Sequence, residues 1–196
     1  MSKKLLLLDL DRTLLDTKRF MNELWTEISR QYNLDYDHEM SRVPHWYRSM
    51  DDYRYYDLRL HIQEGLALDP DVAVAAVTPA LKKIDFLFPD VSELAEWRKH
   101  TDYELRIMTF GPRWVQEFKL AFMPELADIA ADIILEPKGQ FIARQYAGRQ
   151  GMLVDDKRNA DLPHGFREIW LDRDGTNQRP EGIITINSLT ELREVL

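Results

Sequence analysis

The sequence predicts an α/β fold, namely a Rossmann-like parallel sheet with helices on both faces and an inserted helical domain. Three observations predict it. Residues 5–8 form a short, continuous apolar run that ends in polar residues, typical of a strand covered on both faces. From Pro89 onward, strand-like and helix-like patterns alternate, which indicates parallel strands joined by helices. The stretch between these two regions has a helical pattern.

The alternating region contains five further predicted strands, at residues 103–109, 132–135, 151–155, 166–171 and 183–186. Predicted helices lie near residues 113–122 and 139–147. Asp90 with Glu93, and Ser188 with Glu191, have the spacing of capping boxes. We therefore expect a helix to begin at each of these two places.

The stretch 16–88 shows apolar residues recurring every four positions from Phe20 to Ile28, as on one face of an amphipathic helix. Asp69 followed by Pro70 is typical of an N-cap and first helical position. No segment of this stretch has a convincing strand pattern. We therefore predict that it is entirely helical.

The composition sets broad limits. A chain of 196 residues with 44% hydrophobic residues can bury a full core as one domain, or as one domain with an insertion. No apolar run approaches the ~18 residues of a membrane span, and the first residues lack a signal-peptide pattern, so we expect no membrane association and a cytoplasmic location. Because the sequence has no cysteine, disulfides, zinc–thiolate sites and thiol nucleophiles are excluded.

The net charge of −8 argues against a protein that coats nucleic acid or an anionic membrane, because both partners favour positive fields. A local basic patch remains compatible with this charge. Nucleic acid is therefore a disfavoured partner rather than an excluded one.

Asp9 and Asp11 follow the first predicted strand directly. In open α/β sheets, ligands bind just beyond the carboxyl ends of the strands, preferably where the strand order reverses. The two acids are therefore candidate site residues. The alternative is that one of them caps the following turn, since Asp is common in loops after strands.

Four separated segments each place an acidic, hydroxyl or basic residue near the end of a predicted apolar strand or at the start of a predicted helix. They are Asp9-Leu10-Asp11-Arg12-Thr13-Leu14; Thr109 within residues 107–111; Lys138 within residues 136–139; and Asp155-Asp156 after an apolar strand, with Asp161 five residues after Asp156. In this order they resemble the motifs of haloacid dehalogenase-superfamily phosphohydrolases, and the resemblance covers nearly the whole chain.

The resemblance implies that Asp9 is a nucleophile that forms an aspartyl-phosphate. Asp11 would protonate the leaving alkoxide and later deprotonate the attacking water, so it would begin the reaction protonated. We expect the crowding of carboxylates in one site to raise its pKa, because like charges disfavour ionisation.

The resemblance also implies a Mg²⁺ ion, which suits hard oxygen ligands. The family pattern assigns to it the carboxylates of Asp9 and Asp156 and the backbone carbonyl of Asp11. Asp155 and Asp161 both fit the family's additional acid, and the sequence does not choose between them. Asp161 could equally be an ordinary surface acid.

Thr109 and Lys138 would bind the phosphate, one through a hydrogen bond and the other through its charge. Main-chain N–H groups near Phe110 and Gly111 would add donors. On residue type alone, Thr109 could serve a turn, Lys138 could be a solvated surface lysine, and Gly111 could be a simple turn glycine.

By the same resemblance, residues 1–15 and 89–196 form the core, and residues 16–88 form a helical cap of the C1 type over the site. Arg48, Arg54 and Arg59 lie in an aromatic-rich part of this cap, where they could bind a nucleobase or a second anionic group. The plainer interpretation, which we favour, is that this segment forms the packed core and solvated rim of the cap.

The sequence thus predicts a Mg²⁺-dependent phosphomonoester hydrolase for a small phosphorylated metabolite, such as a nucleotide or sugar phosphate. A phosphomutase, a nucleic-acid end-processing phosphatase and a non-catalytic phosphate-binding module are the alternatives. A dehalogenase shares the scaffold, but displacement at a carbon–halogen bond needs neither a metal nor an acid at Asp11.

Overall fold

The computed structural model describes residues 3–50, 53–159, 161–175 and 181–196, which form eight strands and eight α-helices. The strands are β1 (Lys4–Leu8), β2 (Tyr47–Met50), β3 (Tyr53–Tyr56), β4 (Tyr103–Phe110), β5 (Ala131–Ile134), β6 (Gly151–Asp155), β7 (Phe166–Leu171) and β8 (Ile184–Ile186). The helices are α1 (Thr17–Tyr32), α2 (Tyr36–Arg42), α3 (Leu58–Leu60), α4 (Pro70–Leu81), α5 (Val91–Trp97), α6 (Arg113–Leu120), α7 (Lys138–Gln145) and α8 (Leu192–Val195). Within these residues, no helix combines the length and apolarity needed to cross a bilayer.

Six strands form a parallel sheet in the order β5-β4-β1-β6-β7-β8. The first strand lies in the middle, paired with β4 on one side and β6 on the other. The strand order therefore reverses beside β1, which is where α/β proteins bind ligands. The predicted fold class is confirmed, and all six predicted sheet strands are present.

The four leucines of β1 are fully buried because helices cover both faces of the sheet. Leu6 and Leu8 pack into a large apolar cluster on one face, whereas Leu5 and Leu7 pack into a smaller one on the other. Alternation of side chains along a strand sends successive leucines to opposite faces. A polar residue at any of these four positions would face one of the two clusters.

The inserted segment, residues 16–88, leaves the sheet region and returns to it at one place, where two backbone hydrogen bonds join its two ends. The Asp16 N–H donates to the Phe86 carbonyl at 2.8 Å, and the Phe88 N–H donates to the Leu14 carbonyl at 3.1 Å. Between these points lie α1 to α4. The large apolar cluster continues into the segment, where Phe20 of α1 packs edge-on against Phe86 with ring centroids 5.1 Å apart.

The prediction that residues 16–88 contain no strand is wrong, because β2 and β3 form an antiparallel hairpin. The segment is short, and its tyrosines favour strands while its arginines are neutral, so its periodicity does not distinguish a strand from a helix. The residues that join the two strands, 51–52, lie outside the described part of the chain.

Two of the three predicted helix starts have the predicted caps. The Asp69 carboxylate accepts hydrogen bonds from the N–H groups of the first turn of α4, and Ser188 with Glu191 forms a capping box that leads through a 3-10 turn into α8. The prediction of a capping box at Asp90 is wrong, although α5 does begin at the next residue. The Asp90 carboxylate instead binds Arg173 at 2.9 Å and accepts from the Ser188 hydroxyl at 2.9 Å.

Replacing Phe20 by Ala should destabilise the protein by about 3–5 kcal/mol, because this fully buried ring contacts three other phenylalanines and would leave a cavity. Urea denaturation measures the change. As a control, Val72→Ala on α4, where the side chain is 62% exposed, should change the free energy of unfolding by less than about 0.5 kcal/mol. Equal effects of the two substitutions would contradict this account of the core.

Candidate active site

The polar residues singled out in the sequence meet at one edge of the sheet. Asp9 follows β1, Thr109 lies near the end of β4, Asp155 ends β6, and Lys138 begins α7. The carboxyl ends of neighbouring parallel strands lie side by side. A hydrogen bond of 2.9 Å from the Asp9 N–H to the Val154 carbonyl fixes the end of β1 against the end of β6.

Lys138 is a buried cation, 5% exposed, between two carboxylates. Its Nζ donates to Asp9 Oδ1 and, at 2.6 Å, to Asp155 Oδ2. Burial alone would lower the pKa of Lys138, but the attraction of Asp155 and Asp9 outweighs it and raises the pKa above its usual value. The alternative of a solvated surface lysine therefore does not describe this residue.

Three acids lie close enough to share one metal ion. Carboxylate oxygens of Asp9, Asp155 and Asp156 lie within 4.8 Å of one another. Burial, with the neighbouring charge of Asp155, raises the pKa of Asp156 and raises that of Asp9 to about 8 against the opposing pull of Lys138. The surroundings thus do not fully offset the charge that three ionised acids would carry, and the hard oxygen donors of the group fit a Mg²⁺ ion.

Asp155 accepts three hydrogen bonds from the described residues. Besides Lys138, its carboxylate accepts from the Lys157 N–H and from Asn159 Nδ2, both at 2.9 Å. Asp155 therefore serves first as the anchor of Lys138. The carboxylates of Asp9 and Asp156 have fewer such partners and are the more available oxygen ligands.

Asp11 is held by a cation that the sequence did not reveal. Lys119 Nζ lies 2.6 Å and 2.9 Å from the two Asp11 carboxylate oxygens, and the Thr17 hydroxyl donates to one of them at 2.7 Å. Burial alone would raise the pKa of Asp11, but Lys119 and Thr17 more than offset it and lower the pKa below its usual value. The expectation that crowding raises the pKa of Asp11 is wrong, because that effect falls on Asp9 instead.

Lys119 could have been suspected from its place on α6. It lies four residues after Val115, on the buried side of a short amphipathic helix, and it is 5% exposed. A lysine on an apolar stripe requires a nearby acid. The sequence does not show which acid, since 108 positions separate Lys119 from Asp11.

Asp161 lies outside the three-acid group and is exposed. Its backbone carbonyl packs against the first turn of α7, 2.1 Å from the point where a Cβ on Gly139 would lie. Only glycine fits at position 139 without a shift. Asp161 thus contacts the helix that carries Lys138 through its main chain.

Thr109 is fully buried, and its hydroxyl has no hydrogen-bond partner among the described residues. Buried hydroxyls normally have a partner, so an unpaired one at the rim of a sheet suits a bound anion. The Gly111 N–H, by contrast, already donates to the Ile134 carbonyl at 3.0 Å. Gly111 supplies the shape of the turn at φ +147°, where an added Cβ would lie 2.4 Å from Gln116 Nε2.

The three arginines predicted to recognise substrate have different surroundings. Arg59 pairs with Asp71 at 3.1 Å and lies over the Trp114 ring, and Arg54 lies over the Tyr47 ring. For Arg48, no ion pair is found in the described ranges. Arg59 thus stabilises the contact between the inserted segment and α6.

The hairpin β2–β3 contacts the turn after β4 through aromatic rings. The rings of Tyr53 and Tyr55 have centroids 4.9 Å and 6.2 Å from that of Phe110, the residue after Thr109. Tyrosines of the inserted segment therefore reach the candidate site, and Arg48, which pairs with Tyr55 across the hairpin, lies on the same face as that tyrosine.

No protein-family model and no curated protein matches the sequence. Solved structures do match over the full length. They include a HAD-type hydrolase of Bacillus subtilis bound to magnesium (16% identity, 100% of this chain, 99% of the other, TM-score 0.66), a 2-haloacid dehalogenase of Pseudomonas syringae (20%, 98% and 97%, TM-score 0.58) and a HAD-family hydrolase of Deinococcus radiodurans with bound phosphate and sodium (16%, 99% and 95%, TM-score 0.55). The chain therefore has the fold of the haloacid dehalogenase-like hydrolases.

Replacing Asp9 by Asn should stabilise the metal-free protein increasingly as the pH rises. Because the pKa of Asp9 is about 8 in the folded protein and 3.8 ordinarily, the folded state holds a proton that the unfolded chain loses between these pH values, and stability falls across that window. Asn does not titrate. The difference in melting temperature between Asp9→Asn and the wild type should therefore grow from about pH 4 to about pH 8.

Thermal denaturation in the presence of a chelator, repeated at several pH values, measures this difference. Asp161→Asn is the matched control, because Asp161 is exposed and outside the acid group. A difference that stays constant across the pH range would refute the assignment of a raised pKa to Asp9.

Proposed function

We propose that this protein is a Mg²⁺-dependent phosphomonoester hydrolase that acts through an aspartyl-phosphate on Asp9. The observation that carries the proposal is the meeting of Asp9, Asp156, Lys138 and the unpaired Thr109 hydroxyl at one sheet edge, beside Asp11. A carboxylate can attack a phosphate dianion only where cations and donors offset the repulsion. This edge of the sheet holds a cation, Lys138, and a hydrogen-bond donor, the Thr109 hydroxyl.

In the first step, a carboxylate oxygen of Asp9 attacks phosphorus, the bond to the ester oxygen breaks, and the leaving alkoxide takes its proton from solvent because Asp11 is ionised. Lys138 neutralises charge beside Asp9, and the Thr109 hydroxyl donates to a phosphoryl oxygen. The attack requires ionised Asp9, which its raised pKa opposes in the metal-free site. Neutralisation of the acid group by a cation is therefore a condition for reaction.

In the second step, water attacks the aspartyl-phosphate, Asp11 accepts the proton, and Asp9 and inorganic phosphate are released. Lys119 and Thr17 hold Asp11 as a carboxylate, which is the form that accepts a proton. Asp11 is thus better prepared as the base of the second step than as the acid of the first. Esters whose leaving group departs without a proton should react fastest.

The Mg²⁺ ion would be held by the carboxylates of Asp9 and Asp156 and by the backbone carbonyl of Asp11, with Asp155 anchoring Lys138 instead. When bound, it supplies positive charge to the phosphoryl oxygens. The proposal of Mg²⁺ is supported by the oxygen-only donor set and by the magnesium in the Bacillus subtilis protein of the same fold.

We further propose that residues 1–15 and 89–196 act as the catalytic core and residues 16–88 as a cap of the C1 type. The contacts of Tyr53 and Tyr55 with Phe110 support this division of roles, since they bring the inserted segment to the phosphate-binding turn. The substrate would be a small phosphorylated metabolite whose non-phosphate part meets these tyrosines. The net charge of −8 disfavours nucleic acid ends.

A dehalogenase is the main rival on this fold. Displacement of halide requires a nucleophilic carboxylate, but it requires neither a metal site nor a paired acid such as Asp11. Phosphate transfer accounts for both features. A mutase would differ only in transferring the phosphoryl group to a second substrate molecule instead of water.

The purified protein should release p-nitrophenol from p-nitrophenyl phosphate when Mg²⁺ is present, and a chelator should stop the reaction. Asp9→Asn should reduce kcat at least about 1,000-fold, because it removes the nucleophile. A colorimetric assay measures the release. Incubation with a 2-chloro acid under the same conditions should yield no halide.

Asp161→Asn is the control, and its activity should stay within about threefold of the wild type, since Asp161 lies outside the acid group. Failure to release phosphate from any ester at ample Mg²⁺, or full activity of Asp9→Asn, would exclude the proposed function. Halide release without a metal would favour the rival.

Replacing Lys119 by Met should shift the acidic limb of the kcat–pH profile to higher pH. Lys119 lowers the pKa of Asp11, so its removal raises that pKa, and the basic form of Asp11 is lost earlier as the pH falls. p-Nitrophenyl phosphate is the suitable substrate, because its leaving group needs no proton. Lys119→Arg should keep the profile of the wild type, as should Glu117→Gln at an exposed position of the same helix. An unshifted limb in Lys119→Met would contradict the role given to the pair.

A further inference from the structure

Arg12 adopts a backbone conformation that suits glycine better than arginine. It lies between Asp11 and Thr13 with φ +63°, in the left-handed region that side chains other than glycine rarely occupy. Hydrogen bonds from its N–H to the Leu15 carbonyl (2.9 Å) and to the Thr17 hydroxyl (3.2 Å) hold this turn. An unfavourable conformation of this kind points to a use for the side chain.

The Arg12 side chain lies on the solvent side of the acid group. Its Nε is 3.4 Å from Asp156 Oδ2, and its Nη2 is 3.4 Å from Asp174 Oδ2. The side chain of Arg12 is 61% exposed, whereas that of Asp156 is 10% exposed. Two cations that form ion pairs with this acid group thus lie on opposite sides of it, with the buried Lys138 inside and the exposed Arg12 outside.

Another cation can displace Arg12 from Asp156. Both of its ion pairs are longer than a close hydrogen bond, and exposed pairs contribute little stability. A divalent ion bound at Asp156 would repel the guanidinium, because two positive charges would share one carboxylate. Ion and guanidinium therefore compete for the same carboxylate, that of Asp156.

We propose that Arg12 competes with the divalent cation for Asp156 and that a bound phosphate relieves this competition. The inference rests on the proposed metal-dependent function. In the free site, Arg12 weakens binding of the ion. When a phosphate group enters, its negative charge attracts the displaced guanidinium at the rim, so ion and phosphate strengthen each other's binding through Arg12.

Isothermal titration calorimetry of Mg²⁺ into the metal-free protein, with and without inorganic phosphate, tests the proposal. Without phosphate, Arg12→Gly should bind Mg²⁺ about tenfold more tightly than the wild type. With saturating phosphate, the advantage should shrink to about twofold or less. Arg12→Lys, which keeps the charge, should resemble the wild type.

Two controls separate this role from general effects. Arg30→Gln removes one positive charge from an exposed pair on α1 and should leave the affinity for Mg²⁺ unchanged. Arg12→Gly should melt no lower than the wild type, because glycine relieves the left-handed backbone. A lower melting temperature would show that Arg12 is needed for folding and would overturn the interpretation of its backbone.

Equal Mg²⁺ affinities of the wild type and Arg12→Gly, or the same gain in affinity with and without phosphate, would overturn the proposal. In both cases the proposed hydrolase would stand, provided that the wild type binds Mg²⁺ and releases phosphate. If the wild type neither binds Mg²⁺ nor hydrolyses any ester, both the proposed function and this inference fall.

Discussion

The arrangement of the candidate site depends on one buried ion pair network, that of Lys138 with Asp9 and Asp155. Two carboxylates at the buried end of a parallel sheet are stable only with a cation between them, since an unpaired buried charge is strongly destabilising. Lys138 occupies this position because α7 begins beside the sheet edge, where Gly139 packs against the Asp161 main chain. Loss of the ammonium group would leave both carboxyl groups without their shared partner and favour the protonated form of Asp9.

Around this network, Asp9 and Asp11 are paired with different cations and therefore differ in their affinity for protons. Asp9 shares Lys138 with a second carboxylate, and its pKa is raised. Asp11 has Lys119 to itself, and its pKa is lowered. Two acids that lie two residues apart in the chain thus differ in proton affinity, because environment rather than residue type decides which of them holds a proton.

The sequence was sufficient for the sheet and for the meeting of Asp9, Asp156, Thr109 and Lys138, because buried strands have a local signal and parallel strands align their ends. It was insufficient for Lys119, whose partner is distant in the chain and therefore has no local signal. It also missed the hairpin β2–β3, whose short strands do not differ in periodicity from a helix. The substrate-recognising arginines stay a prediction, although Arg59 is engaged by Asp71.

Thr17 connects helix α1 of the inserted segment to the turn that contains Asp11. It is the first residue of α1, and its hydroxyl donates to Asp11 at 2.7 Å while accepting from the Arg12 N–H. The 16-residue helix α1 is thus hydrogen-bonded through its first residue to the turn that contains Asp11 and Arg12. The position of α1 therefore determines where one hydrogen-bond donor of Asp11 lies, so a substitution that shifts this helix would also change the surroundings of that carboxylate.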